Sequence, residues 1–148
     1  PADRHRGAFV SSGYVLHDGP PDAETLLRLR GDAGLATYSI EQARQGVANS
    51  LFGVTVTFGS EVIGIGRVIG DGGYFFTVSD IAVGPAHQGK GVARMIMTRL
   101  TTWLRENAPA KSFVSLFADA GVPPLYEKFG FRICGAEDTG MVWNRDAQ

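Results

Sequence analysis

The sequence predicts a mixed α/β (α+β) fold, one layer-packed domain over residues 1–148 in which helices cover the faces of a mostly antiparallel sheet. Three observations predict it. From Leu51 to Val83, apolar residues alternate with small or polar ones in three runs separated by turn signals. From Gly89 to about Asn107, Val92, Ile96, Leu100, Trp103 and Leu104 recur at helical spacing. Two further helical stretches, each with its own start signal, precede the first of these runs.

Residues 1–10 read as an edge or flexible segment, and Gly13–His17 as a short strand. Pro20, Pro21 and Asp22 open a helix whose apolar side is Leu26, Leu27 and Leu29, before Gly31 and Gly34 stop it. Ser39 with Gln42 three residues on is a capping-box pattern for a second helix, Ile40 to about Asn49. Val54, Val56 and Phe58 mark the first strand of the meander. Gly59-Ser60 turns it, and Val62–Ile69 is β-branched enough to be the second strand. Asp71-Gly72-Gly73 is a hairpin signal leading into a third strand, Tyr74–Val83. After the long helix, Pro109 is a stop. Lys111–Phe117 reads as a strand with Phe113, Ser115 and Phe117 on one face. Pro123-Pro124 and Gly130 bracket a short helix, Leu125–Phe129, and Phe131–Gly135 and Met141–Asn144 read as two closing strands.

Composition sets outer bounds. Hydrophobic residues make up 44% and charged residues 20%, ordinary for a globular domain. A formal net charge of -1 predicts neither nucleic acid nor an acidic membrane as partner. No apolar run approaches the ~20 residues that span a bilayer. The one cysteine, Cys134, has no internal partner, which suits a reducing cytoplasm. Nothing in the sequence asks for a metal.

The chemistry concentrates where the third strand of the meander meets the long helix. Ser79-Asp80-Ile81-Ala82-Val83 runs through Gly84-Pro85-Ala86-His87 into Gln88-Gly89-Lys90-Gly91-Val92-Ala93. Glycine at 89 and 91 removes side chains where backbone must come close to something. The first N–H groups of a helix lack intrahelical acceptors and favour anions. Together these make a cradle for a phosphate or pyrophosphate, with Lys90 adding charge; the bland alternative is a tight strand-to-helix connection. Two other phosphate motifs fail. Gly84, four residues, then Gly89-Lys90 approaches a P-loop, but Gly91 stands where Ser or Thr is needed for magnesium. Gly64, Gly66 and Gly70 approach a dinucleotide fingerprint, but with the wrong spacing and no helix following.

Gln88-x-x-Gly91-x-Ala93 after a strand ending Asp80-Ile81-Ala82-Val83, followed about thirty residues on by Leu125-Tyr126-Glu127-Lys128-Phe129-Gly130-Phe131, resembles the GNAT superfamily of N-acetyltransferases. The resemblance implies a sheet splayed in its middle, with acetyl-CoA as co-substrate in the cleft. It places the pyrophosphate on the backbone of Gln88, Gly89, Lys90, Gly91, Val92 and Ala93. The pantetheine arm would pair with the strand at Ile81, Ala82 and Val83, and the thioester carbonyl would meet an N–H near Val83. It implies direct acetyl transfer to a primary amine, expected to be that of a small molecule, through a tetrahedral intermediate. A protein or peptide amine, or a non-catalytic acyl-CoA sensor, are the alternatives. The family often pairs into homodimers.

Tyr126 matches the family tyrosine that protonates the coenzyme's sulfur; a core aromatic is its structural alternative. For the base, Asp80 is one candidate, with an arginine-paired structural carboxylate as the competing reading, and Asp119 or a water relay are others. Strict alternation puts Ser79, Ile81 and Val83 on one face and Asp80 on the other, unless a bulge intervenes. His87 is expected to point toward phosphates or solvent. Val122 stands where many members have an asparagine contacting the coenzyme. The resemblance places the acceptor under the first two helices, near Tyr38, Leu51, Phe52, Phe76 and Ser79, with Arg30 or Arg67 available for an anionic group.

Overall fold

The alternating runs form a six-stranded sheet whose spatial order follows the chain. The computed structural model describes residues 9–119 and 121–146, and the chain divides into two compact units, Pro1–Phe117 and Ala118–Gln148. The first unit holds the whole sheet: β1 (Phe9–Ser11), β2 (Tyr14–Asp18), β3 (Phe52–Phe58), β4 (Glu61–Gly70), β5 (Phe75–Val83) and β6 (Phe113–Ser115). Every neighbouring pair is antiparallel except β5 with β6. The predicted mixed, mostly antiparallel sheet is present.

Two helices cover one face. α1 (Ala23–Asp32) starts at Asp22, whose carboxylate accepts from the Thr25 N–H at 2.7 Å. α2 (Ile40–Ala48) starts on the Ser39–Gln42 capping box, with both reciprocal bonds formed. Ala23, Leu26, Leu29 and Ala43 pack against Ile65 of β4 and Ala82 of β5. The other face carries α3 (Val92–Asn107), which buries Val92, Ile96, Met97, Leu100 and Leu104. Gly64 and Gly66, which flank Ile65 and so face away from it, are its seat. A Cβ on Gly66 would lie 2.6 Å from Ile96 Cγ2, and one on Gly64 2.9 Å from Val92 Cγ1. The glycines that mimic a dinucleotide fingerprint are therefore there to let a helix lie close on the sheet.

Phe9–Ser11 forms an edge strand, one of the two readings of the first ten residues, joined to β2 by a two-residue turn, Ser12-Gly13, both with positive φ (51° and 86°), the primed geometry that tight hairpins prefer. The structure departs from expectation at four other places. α3 begins at Val92 rather than Gly89, because Gly89 and Gly91 hold φ of +74° and +84°, which a right-handed helix cannot contain. Trp103 is only half-buried. β6 is three residues long, not seven, and Phe113 and Phe117 are 53% and 75% exposed. Finally, the closing strands Phe131–Gly135 and Met141–Asn144 are not formed: no ladder involves them among the described residues, and Met141, Val142 and Trp143 are 81–88% exposed. Branched and aromatic residues favour a strand only where a partner and a covered face exist. The second unit's regular element is α4 (Pro123–Glu127), with prolines at its first turn as predicted.

Candidate active site

β5 is the strand on which the site is built, and its register with β4 is irregular. Arg67 pairs with Ser79, but Ile65 pairs with Ala82, so three steps along β5 match two along β4. The additional residue is Asp80, at φ +57°, a left-handed conformation that aspartate tolerates better than most residues and that still costs about 1–2 kcal/mol. The bulge reverses the faces beyond it. Ala82 joins the core under α1 and α2, and Ile81 reaches the α3 side, where its Cδ1 lies near Gly66. The strict alternation of Ser79, Ile81 and Val83 is therefore not observed.

The bulge is held by charge. Arg30 Nη1 donates to Asp80 Oδ1, and Arg67 Nε donates to Asp80 Oδ2 at 2.7 Å. The Asp80 side chain is 6% exposed and those of Arg30 and Arg67 are 12% and 9%. Each arginine also grips the covering helices. Arg67 Nη1 donates to the Gly46 carbonyl of α2 at 2.8 Å and to Ser50 Oγ at 2.9 Å. Arg30 donates twice to the Ala36 carbonyl between α1 and α2, and its guanidinium lies 5.2 Å from the exposed Tyr38 ring. Asp80 is thus the arginine-paired carboxylate of the two readings. Arg30 and Arg67 are spent on it rather than available to an anionic ligand.

Beyond Thr77, β5 has a free edge. β6 pairs only with Phe75–Thr77, closed by a 3.1 Å contact between Thr77 Oγ1 and Ser115 Oγ, so on that side Val78–Val83 have no strand partner among the described residues. This is the splay. The edge runs into a short 3-10 turn, Pro85–His87, and then into the glycines. Gln88, Gly89, Lys90 and Gly91 are exposed. A Cβ at Gly89 or Gly91 would meet nothing within 4 Å; their role is the positive φ that aims the backbone. Neither a side-chain cap nor another acceptor among the described residues takes the N–H groups that open α3. Gln88 Nε2 donates to the Val83 carbonyl at 3.1 Å. Val92 is core by its side chain, so only its backbone belongs to this end of the helix.

His87 does not face outward as expected. Its Nδ1 lies 2.9 Å from the Tyr14 hydroxyl. Its ring meets Tyr14 edge-on at 5.6 Å and tilts against Phe58 at 5.2 Å. In the second unit, Tyr126 on α4 is buried. Burial first, and then the negative charge of Asp119, push its phenol above its ordinary value of about 10, so it keeps its proton at neutral pH. No group of His, Cys, Asp or Glu among the described residues is arranged to hold a metal.

Residues 42–133 match the model of the acetyltransferase (GNAT) domain, which is more than half of the chain. The chain belongs to the GNAT acetyltransferases. A Staphylococcus aureus protein of unknown function, described as a probable acetyltransferase, shares 35% identity with this GNAT chain. It aligns over 88% of this chain and 98% of its own, with a TM-score of 0.83. Serotonin N-acetyltransferase 2 of Oryza sativa is 33% identical over 58% of this chain and 42% of its own length. A Glycine max protein named histone acetyltransferase TAP1 is 28% identical over 66% of this chain and 44% of its own. The chain spans about half the length of the curated relatives it matches.

Within the GNAT domain, the backbone of Ile81, Ala82 and Val83 leads through the turn to that of Gln88–Ala93, edge then turn then helix end, while the side chains of Ala82, Val83 and Val92 are core. Tyr38 and Ser79 lie on the α1–α2 side: Tyr38 under Arg30, and Ser79 opposite Arg67. Phe52 and Phe76 do not join them. Phe52 stacks on Trp103 of α3 at 5.2 Å, and Phe76, 2% exposed, meets the same ring edge-on. Both are packing on the opposite face. Sequence reasoning offered an arginine partner for Asp80 but missed that there are two, and it missed the Tyr14–His87 contact. Neither was legible locally, since both depend on elements brought together by the fold.

Proposed function

We propose that this chain is an acetyl-CoA-dependent N-acetyltransferase acting on a primary amine of a small molecule. The observation that carries the reading is the unbroken run from the unpartnered β5 edge to open N–H groups at a glycine-aimed helix end. An extended amide-bearing arm suits the edge, because it can add as a strand. A pyrophosphate suits the helix end, where dipole and unpaired donors coincide. An N–H near Val83 would stabilise the negative charge that develops on the thioester oxygen. Tyr126, which keeps its proton well into alkaline solution, is suited to protonate the departing thiolate.

Each oxygen of Asp80 already accepts from an arginine, and a proton placed there would remove the charge that holds both. Asp80 is therefore read as a brace, and deprotonation of the amine falls to Asp119 or to a water relay. The same cluster bears on the acceptor. Both oxygens of its one carboxylate already accept from arginines, so it offers a lysine-rich peptide nothing to pair with. The name of the rice relative, a serotonin acetyltransferase, supports an amine of small size.

The test is a panel of aromatic and aliphatic amines beside a basic peptide, scored by free thiol released from acetyl-CoA. Release with a small amine and little with the peptide is the expected result. Preference for the peptide would overturn the acceptor class. Heat of coenzyme binding with no thiol release from any amine would favour a sensor instead.

A further inference from the structure

The exposed turn that offers its amides has few fastenings. Gly84 N–H bonds the Ile63 carbonyl at 2.7 Å, His87 N–H bonds Gly84 within the turn, and Gln88 reaches back to Val83. From Gln88 to Gly91 every side chain is absent or exposed, so nothing in that stretch packs it down. Among the described residues, the one side chain that ties this turn by a hydrogen bond to a distant part of the sheet is His87, whose partner Tyr14 is 73 residues away on β2. Tyr14 is 4% exposed and sits directly across the ladder from Phe58. The three rings close on one another at 5.1–5.6 Å. The Tyr14 ring is therefore held by the core, and its hydroxyl is presented at a fixed point to the imidazole.

From this geometry we infer that Tyr14 and His87 are positioning residues for the coenzyme: their contact holds the Gln88–Ala93 amides aimed before a pyrophosphate arrives. The inference rests on the acetyl-CoA reading above. A glycine-rich turn free to wander would lose its freedom on binding and weaken affinity by that amount, whereas a fastened one is already ordered. His87 carries its backbone at the start of the turn, three residues before Lys90, so a slack imidazole shifts the amides rather than the thioester. The effect belongs in coenzyme affinity and not in the chemical step.

Tyr14→Phe keeps the rings and removes the hydroxyl. It is expected to raise KM for acetyl-CoA and Kd for coenzyme A three- to tenfold, the range one lost hydrogen bond supplies, with kcat at saturation unchanged. The decisive comparison uses S-acetyl-pantetheine, which lacks the pyrophosphate. Its kcat/KM should be the same in wild type and variant. His87→Phe should match Tyr14→Phe, and the double variant should be no worse than either, because all three lose the same bond. An unchanged KM for acetyl-CoA, or an equal loss with both thioesters, overturns the inference while leaving the acetyltransferase reading intact. A wild-type chain that binds no coenzyme A overturns both. If His87→Phe fails to fold, Tyr14→Phe with the two thioesters decides alone.

Discussion

Replacing Asp80 by Asn separates a brace from a base. Asparagine fits the left-handed conformation of the bulge about as well as aspartate, so the backbone at φ +57° is not newly strained. What changes is charge: two guanidinium groups, with side chains 12% and 9% exposed, lose their counter-ion. Removing one partner of a buried ion pair costs about 3–5 kcal/mol. The Asn oxygen can still accept from one arginine, so the lower end, ~3 kcal/mol, is the expectation. For a chain of this size that is a fall in Tm of about 10 °C. Loss of a general base instead removes about 10²–10⁴ in kcat with no necessary loss of stability. Thermal unfolding followed by circular dichroism, with kcat measured well below the transition, reads both quantities on one protein. A brace predicts the large Tm shift with kcat within about tenfold of wild type. A Tm within 2–3 °C of wild type together with a hundredfold fall in kcat would refute the assignment.

Three other outcomes are expected. Tyr126→Phe should lower kcat while leaving coenzyme A binding by calorimetry unchanged; because burial and Asp119 raise the phenol, the wild-type rate should hold until pH exceeds about 10, and a Tyr126-dependent decline below pH 9 would sink the acid role. Asp22 is depressed by the hydrogen bonds from Thr25, so its cap stabilises α1 above the ordinary carboxylate value and is lost as pH falls through the lower folded value. Asp22→Ala should cost about 1 kcal/mol at pH 7 and less in urea melts at acid pH, where the neutral carboxyl is a weaker acceptor, and a cost independent of pH would contradict the charged cap. Gly66→Ala places a methyl 2.6 Å from Ile96 and 2.8 Å from Ile81, and overpacking of this kind costs about 1–3 kcal/mol; an unchanged Tm would mean that α3 is not seated as described.

What the sequence makes legible here is what neighbours in the chain decide. Ser39 and Gln42 announce α2 because a capping box is complete within four residues. The anion-favouring end of α3 is legible because its glycines and its helix are contiguous. The bulge is not, since it is a mismatch between β5 and the Arg67–Ile65 stretch of β4, and no reading of β5 alone contains it. The same is true of Phe52 and Phe76, which look like free aromatics until Trp103 is brought over them from another element. Met141–Asn144 errs in the other direction. Its residues favour a strand, but strand formation is a property of pairs.

The cluster of Arg30, Arg67 and Asp80 has a consequence for anyone redesigning the acceptor. The α1–α2 segment is the natural piece to exchange between relatives, since it covers the sheet where the acceptor is proposed to lie. In this chain the exchange is not modular. A grafted segment must bring an arginine to the position of Arg30 and a free carbonyl to that of Gly46, or the strand proposed to carry the coenzyme edge loses its register along with the old specificity. Chimeras that keep both contacts should retain coenzyme affinity whatever amine they accept, and those that keep neither should bind the coenzyme poorly.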